Sequence, residues 1–241
     1  MDTICLMYHD IVTRDDKSGG FQNESAFQYK VEEAAFEEQV KALQGKDVVF
    51  TFDDGGVSFL TIVAPTLEKY GMRGVFFIST NYLGTPGFLT AEQVNELEER
   101  GHVIGSHSHS HPNNIASLPA DAMYEEWCVS CNVLKSIVGH EILYASIPNG
   151  YGSKKLNASA QKAGITELYT SVPTTQLSTR SGQTLYGRYV VHRDMTVEDV
   201  VKIVSNRNYR RQMYMRWWML EQIKKVLGSS YDKVKAVFVR R

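Results

Sequence analysis

At 241 residues, with 26 Lys and Arg against 27 Asp and Glu, the chain is long enough for one full core and carries a net charge of only -1. It therefore gives no electrostatic case for a nucleic-acid partner. It has no Gly-x-x-x-x-Gly-Lys-Ser/Thr loop, no Gly-x-Gly-x-x-Gly fingerprint and no run near the roughly 18 apolar residues of a membrane span.

Residues 3–8 read as a short buried strand, followed by a polar loop through 15–20. The N-terminal stretch lacks the basic start and apolar run of a signal peptide, so the expected location is the cytoplasm. Phe36, Val40 and Leu43 recur at helical spacing, with Gly45 as a stop. The run 47–52 is a second strand, 59–70 a helix with Pro65 as kink or boundary, and 74–79 a third strand. Thr90 with Gln93 makes a capping box for a helix to Arg100. A strand at 103–106, a helix at 119–138 ended by Gly139, and a strand at 143–147 follow. The helix at 154–163 stops at Gly164, strands are expected at 165–170 and 186–192, and Thr196 caps a last helix to Val204. Cys128 and Cys131 form a lone Cys-x-x-Cys in the long helix, and three cysteines in all suggest no disulfide framework. Both read as ordinary helix positions.

Strand and helix alternate about seven times, which argues for an α/β fold with a parallel sheet. An open doubly wound sheet would show the same alternation. Asp53-Asp54, His107, Pro148-Asn149 and His192 each fall just after an expected strand, and in a barrel those ends converge on one face. The expectation is a distorted (β/α)7, TIM-like barrel in a single domain, residues 1–206. Residues 207–241 differ. They hold ten Lys or Arg against Glu221 and Asp232, about +8, so the remainder carries about -9. Trp217, Trp218, Leu220, Ile223, Val226 and Leu227 interleave with the cations. That basic amphipathic pattern fits either a helix packed on the barrel or peripheral contact at the inner membrane face.

The chemistry sits in Thr51-Phe52-Asp53-Asp54-Gly55 and His107-Ser108-His109-Ser110-His111. Together they supply one carboxylate and two imidazoles for a metal, with a second carboxylate left as a base. That count leaves a coordination position open for water, as in zinc hydrolases. The three residues between 107 and 111 allow both rings to face one ion, with His109 the odd one out.

These motifs, in this order, resemble those of the polysaccharide deacetylases (carbohydrate esterase family 4), over roughly residues 3–205. Tyr8-His9-Asp10 resembles the opening of members from exopolysaccharide synthesis. The resemblance implies Asp53 as catalytic base and Asp54, His107 and His111 as ligands of a divalent metal, zinc by preference. Ser146-Ile147-Pro148-Asn149 lies on a motif usually written Arg-x-Pro-Tyr. Pro148 matches, Ser146 stands in place of the arginine, and Asn149 replaces the aromatic residue while keeping a backbone N–H for an oxyanion. Arg188 or Arg193 is the candidate for the lost guanidinium. Val190-Val191-His192 lies on a Leu-x-His motif, which makes His192 the candidate general acid; His9 competes for that role. Tyr8 and His9 are further candidates on the substrate side. The implied activity is hydrolysis of the N-acetyl group of an amino sugar in a polysaccharide, oligosaccharide or glycan precursor, releasing acetate. The alternatives are a hydrolase of O-acetyl esters or non-sugar amides, and an inactive glycan-binding scaffold.

Overall fold

In the computed structural model, which describes residues 3–15, 18–175, 178–180 and 182–227, the apolar runs become the staves of one sheet. The strands are β1 (Ile4–Tyr8), β2 (Ile11–Val12), β3 (Val31–Glu32), β4 (Val48–Phe52), β5 (Gly74–Ile78) and β6 (Val103–Ser106), then β7 (Tyr144–Ser146), β8 (Glu167–Tyr169), β9 (Ser178–Arg180), β10 (Gln183–Tyr186) and β11 (Tyr189–Val190). Nine of them form one sheet in the order β11-β1-β4-β5-β6-β7-β8-β10-β9. Every pairing in it is parallel except β9 with β10. β2 and β3 pair separately, on either side of the polar loop 15–20.

The expected seventh strand, 186–192, is divided. β10 pairs with β8, and β11 pairs with β1 at the other end of the sheet. Only Gly187 and Arg188 separate them, so the chain itself crosses the seam of a curled, half-barrel sheet, and among the described residues no ladder joins β10 to β11. At the break the Arg188 N–H leaves the ladder for the Val172 carbonyl (2.9 Å), and Val191 N–H rejoins it at Met7 O (2.9 Å). Gly187 makes this passage sterically feasible: a Cβ there would lie 2.6 Å from Val172 O and closer still to Thr174 O.

The helices are α1 (Glu33–Ala42), α2 (Ala64–Lys69), α3 (Ala91–Glu99), α4 (Ala120–Val138), α5 (Lys154–Lys162), α6 (Val197–Ser205) and α7 (Arg207–Leu227). The capping box at Thr90 and Gln93 is present, as is one at Thr196 and Asp199. Gly139 ends α4 in the left-handed region, φ 81°. The helix expected over 59–70 is instead a wide π-type turn (Phe59–Val63) leading into α2. Pro65 sits in the first turn of α2, where its missing N–H costs little. Cys128 and Cys131 are free thiols on α4.

The pleat sorts the side chains into two cores. Leu6, Tyr8, Phe50, Phe52, Phe76 and Ile104 point outward and pack with helix residues such as Phe36, Leu97, Trp127 and Leu156. Cys5, Val49, Val75, Phe77, Val103, Tyr144, Tyr169 and Tyr186 form a second cluster that holds no helix residue and fills the barrel interior.

Helix α7 is capped by Asn206, whose side-chain oxygen accepts the N–H groups of Asn208 (3.0 Å) and Tyr209 (3.1 Å). Tyr209 and Met213 pack against the main core. Residues 16 and 17 of the expected polar loop, and 228–241 of the expected basic extension, lie outside the described residues. Among the described residues no helix is long and apolar enough to cross a membrane.

Candidate metal centre

At the end of β4 the inward parity runs Val49, Thr51, Asp53. The Asp53 N–H continues the ladder to Tyr8 O (3.0 Å). Consecutive side chains on extended backbone would diverge, but Asp54 turns into the left-handed region at φ 85°. That turn brings its carboxylate into the same pocket as Asp53. The loop after β6 is built to a similar end. Ser106 Oγ accepts the Ser108 N–H (3.1 Å), and Ser108 Oγ accepts the His111 N–H (3.2 Å). The Glu126 carboxylate, from α4, accepts the N–H groups of His109 (3.0 Å) and Ser110 (2.8 Å) and the Ser110 hydroxyl (2.6 Å). Among the described residues the non-glycine positions with positive φ are Asp54, Ser108, His111 and Asn149, all at this mouth. Backbone strain gathered there is typical of a working site.

The result is a donor set. His107 Nε2 and His111 Nε2 lie 3.4 and 3.3 Å from Asp54 Oδ1, and the three donor atoms fall within 4.8 Å of one another. His107 Nδ1 faces the Ser146 carbonyl (3.1 Å), which favours the tautomer that leaves Nε2 free to ligate. Burial works against ionised Asp54, but the two imidazoles outweigh it and hold this carboxyl well below the usual range. One carboxylate oxygen and two imidazole nitrogens, nearly convergent and mostly buried, fit a divalent ion of zinc type. His109 is turned away, with Nδ1 2.9 Å from Thr80 Oγ1.

Asp53 is held separately. Arg188 Nη1 donates to its Oδ1 (2.6 Å) and Nη2 to its Oδ2 (2.8 Å), a fork-to-fork pair. Arg188 is fully buried; it also donates to Thr51 Oγ1 (3.2 Å) and Thr170 O (3.1 Å), and its guanidinium lies 5.5 Å from the Phe77 ring centre. Burial alone would raise the Asp53 carboxyl; Arg188 first, then His107, more than offset it, and the net direction is down. Ser146 Oγ donates to Asp53 Oδ1 (3.1 Å) and lies 2.5 Å from His107 Nδ1, so it links the two halves of the site. Arg193 is exposed. Of the two arginine candidates, Arg188 is the one that reaches Asp53.

The other candidates separate by strand parity. Tyr8 points outward: its hydroxyl donates to Gln39 Oε1 (3.0 Å) and its ring packs on Phe36, Phe50 and Phe52. Its side chain is core, not substrate wall. His9, one residue on, points inward. It feels the charges of Asp54 and Asp53, its buried Nδ1 has no protein partner, and burial holds it below the ordinary imidazole range. His9 stacks on Tyr29 (4.6 Å), and Tyr29 in turn meets His192 (5.1 Å). The charges acting on His192 are those of Asp194, His9 and Arg216, so it stands one ring further out. Pro148 is buried; Asn149 is exposed at φ 55°, with Nδ2 3.5 Å from Pro112 O. Sequence reading missed Tyr29 and missed Phe21, whose ring lies 4.9 Å from that of His111. Both sit in stretches without strand or helix periodicity.

A family model described as "Polysaccharide deacetylase" matches residues 41–168. Among curated proteins, the chain is 28% identical over 155 residues to the "Putative polysaccharide deacetylase YxkH" of Bacillus subtilis, covering 64% of this chain and 53% of that one. It is 27% identical over 129 residues to the "Peptidoglycan-N-acetylmuramic acid deacetylase PdaA" of the same organism, covering 53% and 47%. The chain thus spans about half the length of the curated relatives it matches. Among solved structures, the deacetylase PplD of Streptococcus pyogenes superposes with a TM-score of 0.70 at 18% identity, covering 84% of this chain and 98% of that one. IcaB from Ammonifex degensii gives 0.68 at 19% identity, covering 84% and 96%. These structural likenesses concern the fold.

Proposed function

The chain belongs to the polysaccharide deacetylase family, and from that premise we propose that it is a metal-dependent hydrolase that removes N-acetyl groups from an amino sugar of a glycan, releasing acetate. The observation that carries this reading is the meeting, at one barrel mouth, of an Asp54–His107–His111 donor set and a separately held carboxylate, Asp53. Relatives named as peptidoglycan and chitooligosaccharide deacetylases support an N-acetylated sugar as substrate.

A divalent ion held by Asp54, His107 and His111, zinc by the chemistry of the donors, supplies Lewis acidity toward the acetamide carbonyl. Asp53 is the base. Its Oδ1 is taken by Arg188 and Ser146, whereas Oδ2 accepts only Arg188 and lies 3.9 Å from His107 Nε2, leaving a lone pair on the ligand side. There it takes a proton from the attacking water as the new C–O bond forms. The C–N bond then breaks and the amine nitrogen receives a proton. His9 is better placed than His192 to deliver it. Held neutral by burial, His9 acts as a relay that takes up a proton from Asp53 and passes it on. The Asn149 backbone N–H is the oxyanion donor.

Acetate release from N-acetylglucosamine oligomers, measured beside an O-acetylated glycan, tests the reading. Release from the N-acetyl substrate supports it; release from the ester alone would replace it with the O-acetyl alternative. Glycan binding with no release from either would favour the inactive scaffold.

We also propose that α7 touches an anionic membrane surface. Tyr214, Met215, Trp218 and Met219 are four of the six exposed large apolar residues among those described, and the exposed Arg207 and Arg211 share their helix. Aromatic and basic residues together suit an anionic interface. Trp218→Ser with Met219→Ser should reduce co-sedimentation with anionic vesicles; equal sedimentation would end this part of the reading.

A further inference from the structure

The inner face of α7 is separate from the outer face just described. It overhangs the barrel mouth with two clefts, one on each side of Trp217. The first, about 780 Å³, runs between Trp217, Tyr209 and Arg216 on the helix and His192, Ser171 and Gln28 on the barrel. The second, about 590 Å³, reaches Gly150, Tyr151, Asn114 and Asn157. Neither contains the Asp54–His107–His111 set; both abut its surroundings. His192, in the wall of the first, is the outer member of the stack that leads through Tyr29 to His9. Gly150, in the second, follows Asn149 directly and packs so close to Ser171 that a Cβ there would meet Ser171 Oγ at 3.0 Å. The two clefts therefore converge at the Gly150–Ser171 contact and again at Trp217. Helix α7 lies beyond residues 41–168, the part the family model matches.

We infer that these clefts bind the sugar rings flanking the residue being deacetylated, with Trp217 as the stacking platform. This rests on the deacetylase reading above. The chemistry of the walls selects the ligand. A pyranose ring offers an apolar C–H face and a rim of hydroxyls. Half-buried Trp217 supplies a flat apolar surface, and the walls add amide and hydroxyl groups (Gln28, Asn114, Asn157, Ser171) that both donate and accept. Cations and anions are mixed along the clefts, Arg193 and Arg216 with Asp194, Asp199 and Glu221, which suits an uncharged chain. Each cleft is of the size that holds a small ligand of a few rings. Glycan length is then read by α7, and an oligomer is a better substrate than a single sugar.

The test uses Trp217→Ala and Trp217→Phe in the full chain. For the active protein, the ratio of kcat/KM for N-acetylglucosamine hexamer to that for the monomer should fall about tenfold in Trp217→Ala, mainly through KM, with substantial recovery in Trp217→Phe. For the Asp53→Asn protein, titration with the hexamer should show binding that is weakened by adding Trp217→Ala. This arm needs no turnover, so loss of the deacetylase reading and loss of the cleft reading give different results. An unchanged length preference together with unchanged hexamer binding overturns the inference. So would a concentration-dependent dimer that Trp217→Ala abolishes and the hexamer does not affect, which would assign the clefts to a second copy of the chain.

Discussion

Arg188→Met removes the guanidinium but keeps most of the buried volume. Asp53 loses both members of the fork, at 2.6 and 2.8 Å, and keeps only Ser146 Oγ. Hydrogen bonds to charged groups are worth about 1.5–3 kcal/mol each, and breaking a buried ion pair from one side costs about 3–5 kcal/mol. For a chain of this length that corresponds to roughly 6–20 °C in Tm. The burial that raises the Asp53 carboxyl stays in place while its chief counterweight is gone. The pH dependence follows. In the wild type the folded value is depressed, so the stabilisation is present above the unfolded Asp value of about 3.9 and is lost as pH falls through the folded value. In the variant the folded value moves up, so the stability deficit is largest near neutrality and narrows on acidification. The acid limb of kcat/KM, set by deprotonation of the base, should move to higher pH, with a loss of about 10²–10⁴-fold at pH 7. Arg193→Met, at an exposed position, should leave limb and Tm in place. Ser146→Arg added to Arg188→Met tests whether the guanidinium can be supplied from β7, with partial recovery expected. A pH profile and Tm unchanged by Arg188→Met would show that Arg188 does not set the state of Asp53.

Asp53→Asn should retain bound metal while acetate release falls about 10²–10⁴-fold, as for loss of a general base; near-wild-type turnover would remove Asp53 from that role. His9→Asn should reduce turnover more than His192→Asn, and the reverse order would return the proton-delivery role to His192. Gly187→Ala forces a Cβ against Val172 O and Thr174 O. We expect a loss of about 1–3 kcal/mol in chemical denaturation, as for overpacking, together with reduced turnover because Arg188 is displaced.

Much of this was legible in the sequence because the staves are short apolar runs ended by chemistry-bearing residues. Val48–Phe52 ends at Asp53 and Val103–Ser106 at His107, so the donor set follows from which residues sit at strand ends. The parity within each stave was harder to read. Parallel strands buried on both faces are apolar at every position, so Ile4–Tyr8 gave no visible sign that Tyr8 faces the helices and His9 the mouth. The same parity would have chosen Arg188 over Arg193, since position 188 shares a face with Tyr186, which fills the barrel. The break at Gly187 was hidden because its cause is not local. It arises from β10 and β11 pairing with strands at opposite ends of the sheet, and from the carbonyls of Val172 and Thr174, earlier in the chain. Tyr29 and Phe21 reach the site from irregular segments, which carry no period to read.

The central claim, that Asp54, His107 and His111 hold a divalent ion, is tested most directly by elemental analysis of the purified protein beside His107→Ala and His111→Ala. About one zinc or similar ion per chain is expected in the wild type, as for a single three-ligand site, with its loss in both variants. A wild type that binds no ion after incubation with zinc, or variants that keep it in full, would show that these three residues are not a metal site.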